Sequence, residues 1–331
     1  MGLSYEAAAN LFRQGEFLRL IDASGHDHQQ RRTLEPRHRV IIANALAVVG
    51  DLREAQYLAH LDRHPPSAAA VRSQAESTLA ILSWRDGELS SALRHAQSAI
   101  QLAQESDDLE RIAWAHLHRF RLLIDTGPMD KVLAALLDAR KVVARAGIGQ
   151  ATAYLHTSVS VLEGQTGRVD EARRHCDIAE SLLEVSPNIW LTGASLINRG
   201  CLACLNCDFD EAIDLLRAGQ EAARKSGQSH LALATDATMG YVQFLVGQFD
   251  TAKETLHAVL HDRRVGVPSK LGASDSLARV IIYLTQVIHS AILRSWQPTS
   301  SPKPCSRPSS TSASPIPVWL KWSSFAGRMA S

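Results

Sequence analysis

The sequence predicts an all-α protein built as a linear array of helix pairs. Three observations support this prediction: a turn motif that recurs every 40 residues, a second series of chain breakers between the motifs, and apolar residues at helical spacing. The four regular copies of the motif begin at Gly127, Gly167, Cys207 and Gly247. Sustained alternation with β-branched residues, which strands require, is absent, so the sequence indicates helices throughout.

Residues 1–35 are interpreted as a degenerate N-terminal helix pair around an imperfect copy of the motif at Gly15. Two further copies, at Gly50 and Gly87, lie slightly closer together than the later four. In a repeat array each unit contacts only its neighbours, and stacking buries a continuous core. We therefore expect residues 36–265 to form one long body rather than two globular domains.

The second series of breakers cuts each repeat into two segments of about 20 residues, a length that suits a helix and is long for a strand. Small residues recur where two helices of a pair would approach closely, seven positions before the turn and twelve after it. The first set is Ala43, Ala80, Phe120, Ser160, Gly200 and Gly240, of which only Phe120 is large, and the second is Ala99, Ala139, Ala179 and Gly219. Leucines nine positions after the turn, such as Leu216 and Leu256, supply the bulk that packs against small residues.

The spacing Gly-x-[apolar]-x-x-Ala, with small residues seven before the Gly and seven after the Ala, resembles the tetratricopeptide repeat (TPR). The TPR period is about 34 residues, so longer helices and loops would account for the longer interval here. Extended repeats of this kind resemble those of large bacterial transcription regulators of the LuxR/MalT or sigma-N-dependent Fis type. The HEAT repeat is the structural alternative, but it does not explain the recurring motif. The resemblance implies a right-handed α-solenoid of antiparallel helix pairs, a TPR-like superhelix that binds other proteins.

Charge and cysteine content exclude several functional classes. Residues 1–275 carry 29 basic and 34 acidic side chains, so the array lacks the basic surface that nucleic acid requires. The odd number of five cysteines fits a reducing compartment rather than a disulfide framework. No secretory signal or membrane-spanning run is visible, and we expect a cytoplasmic protein without membrane contact.

The C-terminal region departs from the repeat. Residues 266–295 are interpreted as the incomplete first helix of a last repeat, and the Ser/Pro-rich residues 296–331 as a disordered tail. Because the last helix is too apolar to serve as a terminal cap, we expect a truncation or frame-shift of a longer regulator near residues 285–295.

No motif in the sequence indicates catalysis, so the protein is not expected to be an enzyme or to hold a cofactor or metal. Phosphate-binding loops, nucleophile elbows and His-Glu-x-x-His are absent from the sequence. Cys201, Cys204 and Cys207, with Cys176, could bind zinc or an iron–sulfur cluster, but they fall along a helix and are interpreted as packing residues. Glu254, His257 and His261 share a helix face but lack ligands from a second helix.

The TPR resemblance places the first helix of each pair on the concave face, where a peptide or protein partner would bind. Aromatic and arginine side chains suit the centre of an interface, and asparagine can hold an extended backbone. The candidate groove residues are Asn44, Trp84, Arg85, Trp114, Arg121, Tyr154, Asn198, Tyr241 and Phe244. The predicted function is a scaffold for protein–protein interaction in a bacterial regulator. The alternative is a peptide or small-ligand sensor whose groove closes on an inducer.

Overall fold

The computed structural model describes residues 3–25, 27–262, 273–274, 276–278 and 281–282. Within these residues the chain is helical and contains no strand. The predicted tail at 296–331 and the expected break near 285–295 lie outside the described residues. The helices are α1 (Tyr5–Gln14), α2 (Phe17–Ala23), α3 (His28–Thr33), α4 (Pro36–Val49), α5 (Leu52–Leu61), α6 (Ala69–Arg85), α7 (Leu89–Ser106), α8 (Leu109–Thr126), α9 (Met129–Ala146), α10 (Gly149–Gln165), α11 (Val169–Val185), α12 (Ile189–Leu205), α13 (Phe209–Ser226), α14 (Ser229–Leu245) and α15 (Phe249–His261).

Within residues 36–261, which the structure describes, the helices form six antiparallel pairs, α4/α5 to α14/α15, and each pair is joined by one copy of the turn motif. The predicted α-solenoid of helix pairs is thereby confirmed. The N-terminal segment carries three short helices, one more than the predicted pair. The additional helix α3 is capped by Asp27, whose carboxylate accepts from the Gln29 amide at 2.8 Å. Its buried Arg31 donates to Glu54 on α5 at 2.6 Å, which ties α3 to the first repeat.

The turn residues explain why glycine recurs in the motif. Gly87, Gly167 and Gly247 have φ between 80 and 84°, a left-handed conformation that other residues adopt only with strain. Cys207 takes the same conformation with φ of 61°. Gly127 differs, with φ of −92° and ψ of 157°, because it precedes Pro128 and the proline ring favours an extended residue before it.

Helices within a pair cross closely at the small positions that the sequence indicates. A Cβ atom added to Gly200 on α12 would lie 2.8 Å from the Leu216 side chain on α13. One repeat later, a Cβ on Gly240 would lie 2.7 Å from Leu256. Each leucine therefore packs directly against the backbone of the preceding helix, and this arrangement repeats with the period of the sequence.

The array curls far enough for its first units to contact its late ones. The Asn188 side chain, before α12, donates a 2.7 Å hydrogen bond to the Arg13 carbonyl oxygen. The Ser229 hydroxyl, at the start of α14, donates at 2.6 Å to the Val49 carbonyl oxygen at the end of α4. The rings of Trp84 and His230 meet edge-on at 5.5 Å. We call this region the closing contact, formed by Arg13, Leu18, Val49 and Trp84 on one side and Asn188, Gly227, Ser229 and His230 on the other.

Candidate inner binding surface

Aromatic side chains from three successive first helices and from α2 contact one another in a continuous row. Trp114 on α8 lies 5.6 Å from Tyr154 on α10, which lies 5.4 Å from Trp190 on α12. Trp190 in turn lies 6.2 Å from Phe17 on α2, and His118 packs edge-on against Tyr154 at 6.1 Å. These are ring-centroid distances typical of favourable aromatic pairs. We call this row, formed by Phe17, Trp114, His118, Tyr154 and Trp190, the aromatic stripe.

The sequence analysis identified two members of the aromatic stripe, Trp114 and Tyr154, and missed the other three. Trp190 lies 36 residues after Tyr154 rather than 40, one helical turn short of the repeat position. His118 follows Trp114 by four residues and so shares its helix face, a signal that was available in the sequence. Phe17 reaches the stripe only through the closing contact, for which the sequence gives no local signal.

The same face of α8 continues from the aromatic stripe to an ion pair. Arg121 donates to Asp125 at 2.7 Å, and these residues follow Trp114 and His118 at helical spacing. The Arg121 side chain is half-buried, with 34% of it accessible to solvent. Burial opposes its charge, but the Asp125 carboxylate outweighs burial and the pKa of Arg121 is raised. The guanidinium therefore stays charged and remains partly accessible to solvent.

Two stripe residues have altered pKa values that fix their hydrogen-bonding roles. Burial raises the pKa of Tyr154 to about 12, so its phenol is protonated at neutral pH and can donate. Burial, assisted by Arg111, lowers the pKa of His118 to about 4, so its imidazole is neutral. The buried His118 Nδ1 atom has no hydrogen-bond partner among the described residues.

Three other predicted groove residues form hydrogen bonds within the array. Asn44 on α4 contacts the Thr78 hydroxyl on α6 at 3.4 Å, and Arg85 donates to the Ala47 carbonyl oxygen at 2.6 Å. Asn198 on α12 donates to the Thr157 carbonyl oxygen on α10 at 3.1 Å. Each of these side chains joins the first helices of two adjacent units. These bonds hold adjacent units of the array together.

The remaining predicted residues lie at two places outside the aromatic stripe. Trp84 contacts His230 in the closing contact. Tyr241 and Phe244 on α14 lie 6.3 Å apart, and Phe244 packs against Phe249 at 5.9 Å. The structure thus brings Trp114, Arg121 and Tyr154 together and separates them from the other six candidates.

Three of the four cysteines among the described residues occupy packing positions. Cys176, Cys201 and Cys204 are buried in α11 and α12, and Cys207 is exposed at the turn. Burial raises the pKa of Cys176 to about 11 and that of Cys204 to about 12, which keeps these thiols protonated. In the part of the chain that the structure describes, no group of three or more His, Cys, Asp or Glu side chains is placed to hold a metal ion.

Two clefts elsewhere are small or lined by charged side chains. One of about 130 Å³ lies beside Arg173, Asp177, Arg199 and Glu211. Another of about 400 Å³ is lined by His28, Arg32, Asp51, Arg53, Glu54 and Tyr57. Neither lining includes a residue of the aromatic stripe. None of the described helices is both long enough and apolar enough to cross a lipid bilayer.

No protein-family model and no curated protein sequence matches the chain. Solved structures with the same fold are similar over most of its length. A Rap protein complexed with competence and sporulation factor has a TM-score of 0.56 and 11% identity, over 88% of this chain and 86% of the Rap chain. The apo form of RapI has a TM-score of 0.51 and 12% identity, over 77% of this chain and 100% of its own.

A third structure is that of a signal transduction ATPase with numerous domains (STAND) from Pyrococcus horikoshii, which carries a tetratricopeptide repeat sensor. It has a TM-score of 0.50 and 12% identity, over 89% of this chain and 50% of its own. These similarities establish that the chain has a TPR-like α-solenoid fold. Because fold alone does not determine function, the function is argued from the inner surface.

Proposed function

We propose that the protein is a non-enzymatic scaffold that binds an extended segment of a partner protein along its inner surface. The observation that carries the proposal is the aromatic stripe, which crosses the first helices of three successive units beside the Arg121–Asp125 pair. We further propose that the protein acts in the cytoplasm of a bacterium, in transcriptional or signal regulation. The aromatic stripe includes Trp114 and Tyr154, and Arg121 lies beside it.

The chemistry of the inner surface suits a peptide with mixed side chains. The half-buried rings of Trp114, Tyr154 and Trp190 offer flat apolar area at low conformational cost. The protonated Tyr154 phenol and the neutral His118 imidazole can form hydrogen bonds to a peptide backbone. The charged Arg121 can additionally select a carboxylate or a carbonyl group.

The fold is compatible with a bound factor, because the Rap protein of the same fold was solved in complex with competence and sporulation factor. A small-metabolite sensor finds less support here. The cleft of about 130 Å³ is smaller than the usual small-ligand pocket of about 300–1,000 Å³, and neither cleft includes a residue of the aromatic stripe.

The proposal is tested by placing a photo-crosslinking amino acid at Tyr154 of the full chain in the native cell. Mass spectrometry then identifies the crosslinked segments. The matched control carries the same amino acid at Arg217 on α13, whose side chain is 71% exposed. We expect one partner segment to be captured from Tyr154 and not from Arg217, and capture of the same segment equally from both positions would contradict the proposal.

A binding titration with the captured segment provides the second arm. We expect Trp114→Ala and Tyr154→Ala each to weaken binding by about tenfold or more, as for residues at the centre of an interface. Ile178→Ala, which truncates an exposed residue of α11, serves as the control. Unchanged affinity in both inner-surface variants would exclude the aromatic stripe as the binding site.

A further inference from the structure

Arg111 lies on the same face of α8 as two members of the aromatic stripe. Trp114 follows it by three residues and His118 by seven, which is the spacing of one helix face. Burial is the main reason why the pKa of His118 is lowered, and the nearby charge of Arg111 lowers it further. The half-buried Arg111 side chain therefore lies at one edge of the aromatic stripe.

The guanidinium of Arg111 has no counter-ion in the part of the chain that the structure describes. Asp108 accepts a hydrogen bond at 3.1 Å from the main-chain amide of Arg111 and so caps α8, but it does not pair with the guanidinium. The buried Nε atom of Arg111 also has no hydrogen-bond partner among these residues. Arg121, one face position further along, differs because Asp125 pairs with it at 2.7 Å.

The other repeats place an apolar residue where α8 has Arg111. Arg111 lies sixteen positions before the turn residue Gly127. The corresponding residues of the other five units all pack in hydrophobic clusters, and they are Leu34, Val71, Ala151, Leu191 and Leu231. The packing of the array therefore does not require an arginine here. A partly buried cation without a counter-ion is unfavourable for folding, and a bound anionic group would remove that cost.

We propose that Arg111 selects partner segments that carry a carboxylate next to an apolar residue. This inference rests on the function proposed above and names the chemistry of the segment that the inner surface binds. The apolar side chain packs against Trp114, and the carboxylate accepts hydrogen bonds from the planar edge of the Arg111 guanidinium. The carboxylate belongs to an Asp or Glu side chain of the segment or to its C-terminus.

Two variants remove the charge of Arg111. Arg111→Leu is expected to fold, since leucine occupies the same position in α12 and α14, and circular dichroism checks this. Arg111→Gln removes the same charge but keeps a polar side chain. The matched control is Arg217→Leu, at an arginine of α13 whose side chain is 71% exposed.

The first test is the selection of binders from a library of random peptides on the immobilised full chain. We expect the wild type to enrich peptides in which Asp or Glu stands beside an aromatic or large aliphatic residue. Arg111→Leu and Arg111→Gln should enrich the apolar residue without the acidic one. Arg217→Leu should select the same peptides as the wild type.

The second test measures the charge pair with one selected peptide. Replacing its acidic residue by the matching amide should weaken binding to the wild type by about tenfold or more. The same replacement should leave binding to Arg111→Leu unchanged, because both changes remove the same pair. Salt should weaken binding to the wild type more than to this variant. Amidation of the peptide C-terminus, compared with the side-chain replacement, shows which of the two carboxylates pairs with Arg111.

Two results would overturn the inference and leave the proposed function in place. One is a set of peptides that require Trp114 for binding but show no acidic enrichment. The other is an acidic residue whose replacement weakens binding to the wild type and to Arg111→Leu equally. A wild-type chain that selects no peptide, or selects peptides that bind Trp114→Ala as tightly, would contradict the inference and the proposed function together.

Discussion

The side-chain amide of Asn188 donates a 2.7 Å hydrogen bond to the main-chain carbonyl oxygen of Arg13, 175 residues earlier in the chain. The same side chain caps helix α12, because its Oδ1 atom accepts from the Leu191 amide at 3.0 Å. One residue thus starts a late helix and ties it to the N-terminal helices. Together with the other contacts of the closing contact, this bond couples units that are distant along the solenoid.

The two roles of Asn188 can be separated by substitution. Asn188→Ala removes both and should destabilise the protein by about 1–2 kcal/mol, the usual effect of losing a helix cap together with a hydrogen bond. Asn188→Ser keeps a capping oxygen but is too short to reach Arg13, so it should recover most of the stability. Hydrogen exchange of the α1 and α2 amides should be faster in both variants. Exchange as slow as in the wild type would contradict a role for the Asn188–Arg13 bond.

Gly227 and Gly167 allow the closing contact to be tested at matched backbone geometry. Their φ angles are 82° and 81°, so alanine is strained at both positions to a similar degree. A Cβ on Gly227 would lie 2.6 Å from Leu18, whereas nothing lies within 4 Å of one on Gly167. Gly167→Ala should therefore lower the free energy of unfolding by about 1–2 kcal/mol, and Gly227→Ala should lower it measurably more. If chemical denaturation shows equal losses of unfolding free energy in the two variants, Gly227 is not tightly packed.

Overpacking tests the register of the helix pairs. Ala172 and Ala212 are completely buried at equivalent positions of two repeats. Ala172→Trp or Ala212→Trp should destabilise the array by about 1–3 kcal/mol or more, because a large ring cannot enter a close-packed crossing. Ala218→Trp, at an exposed position of α13, is the control and should have little effect. Unchanged thermal melting of the two buried variants would contradict the register.

The sequence predicted those features that depend on contacts within a unit or between neighbours. The turn residues, the helix pairs and the Gly200–Leu216 crossing all repeat with a fixed period, so each copy reinforces the prediction. Gly127 shows where one copy departs from this pattern, because Pro128 changes the local backbone preference.

The closing contact could not be predicted in this way. It arises because each helix pair is rotated relative to the preceding one and these rotations add up over several units. No local sequence pattern predicts the total rotation. Phe17 and Trp190 consequently joined the candidate site only in the structure. Trp114 and Tyr154 lie 40 residues apart in adjacent units, so the repeat period was sufficient to identify them.

His230 makes the closing contact sensitive to acid. Burial, with a smaller effect of Arg85, lowers the pKa of His230 to about 3, against about 6.5 in the unfolded chain. The folded protein therefore holds a neutral imidazole packed edge-on against Trp84.

Below pH 6.5 the His230 imidazole is protonated in the unfolded state but stays neutral in the folded state. The free energy of unfolding is therefore not reduced by this group above pH 6.5, and it falls as the pH is lowered toward 3. We expect His230→Gln to flatten this loss between pH 6.5 and 4 relative to the wild type, measured by urea denaturation at each pH. His64→Gln, at an exposed histidine, controls for the other groups that titrate in acid. If the free energy of unfolding falls with pH in parallel for the wild type and His230→Gln, protonation of this imidazole does not limit stability. The carboxylates common to both proteins would then account for the whole acid response.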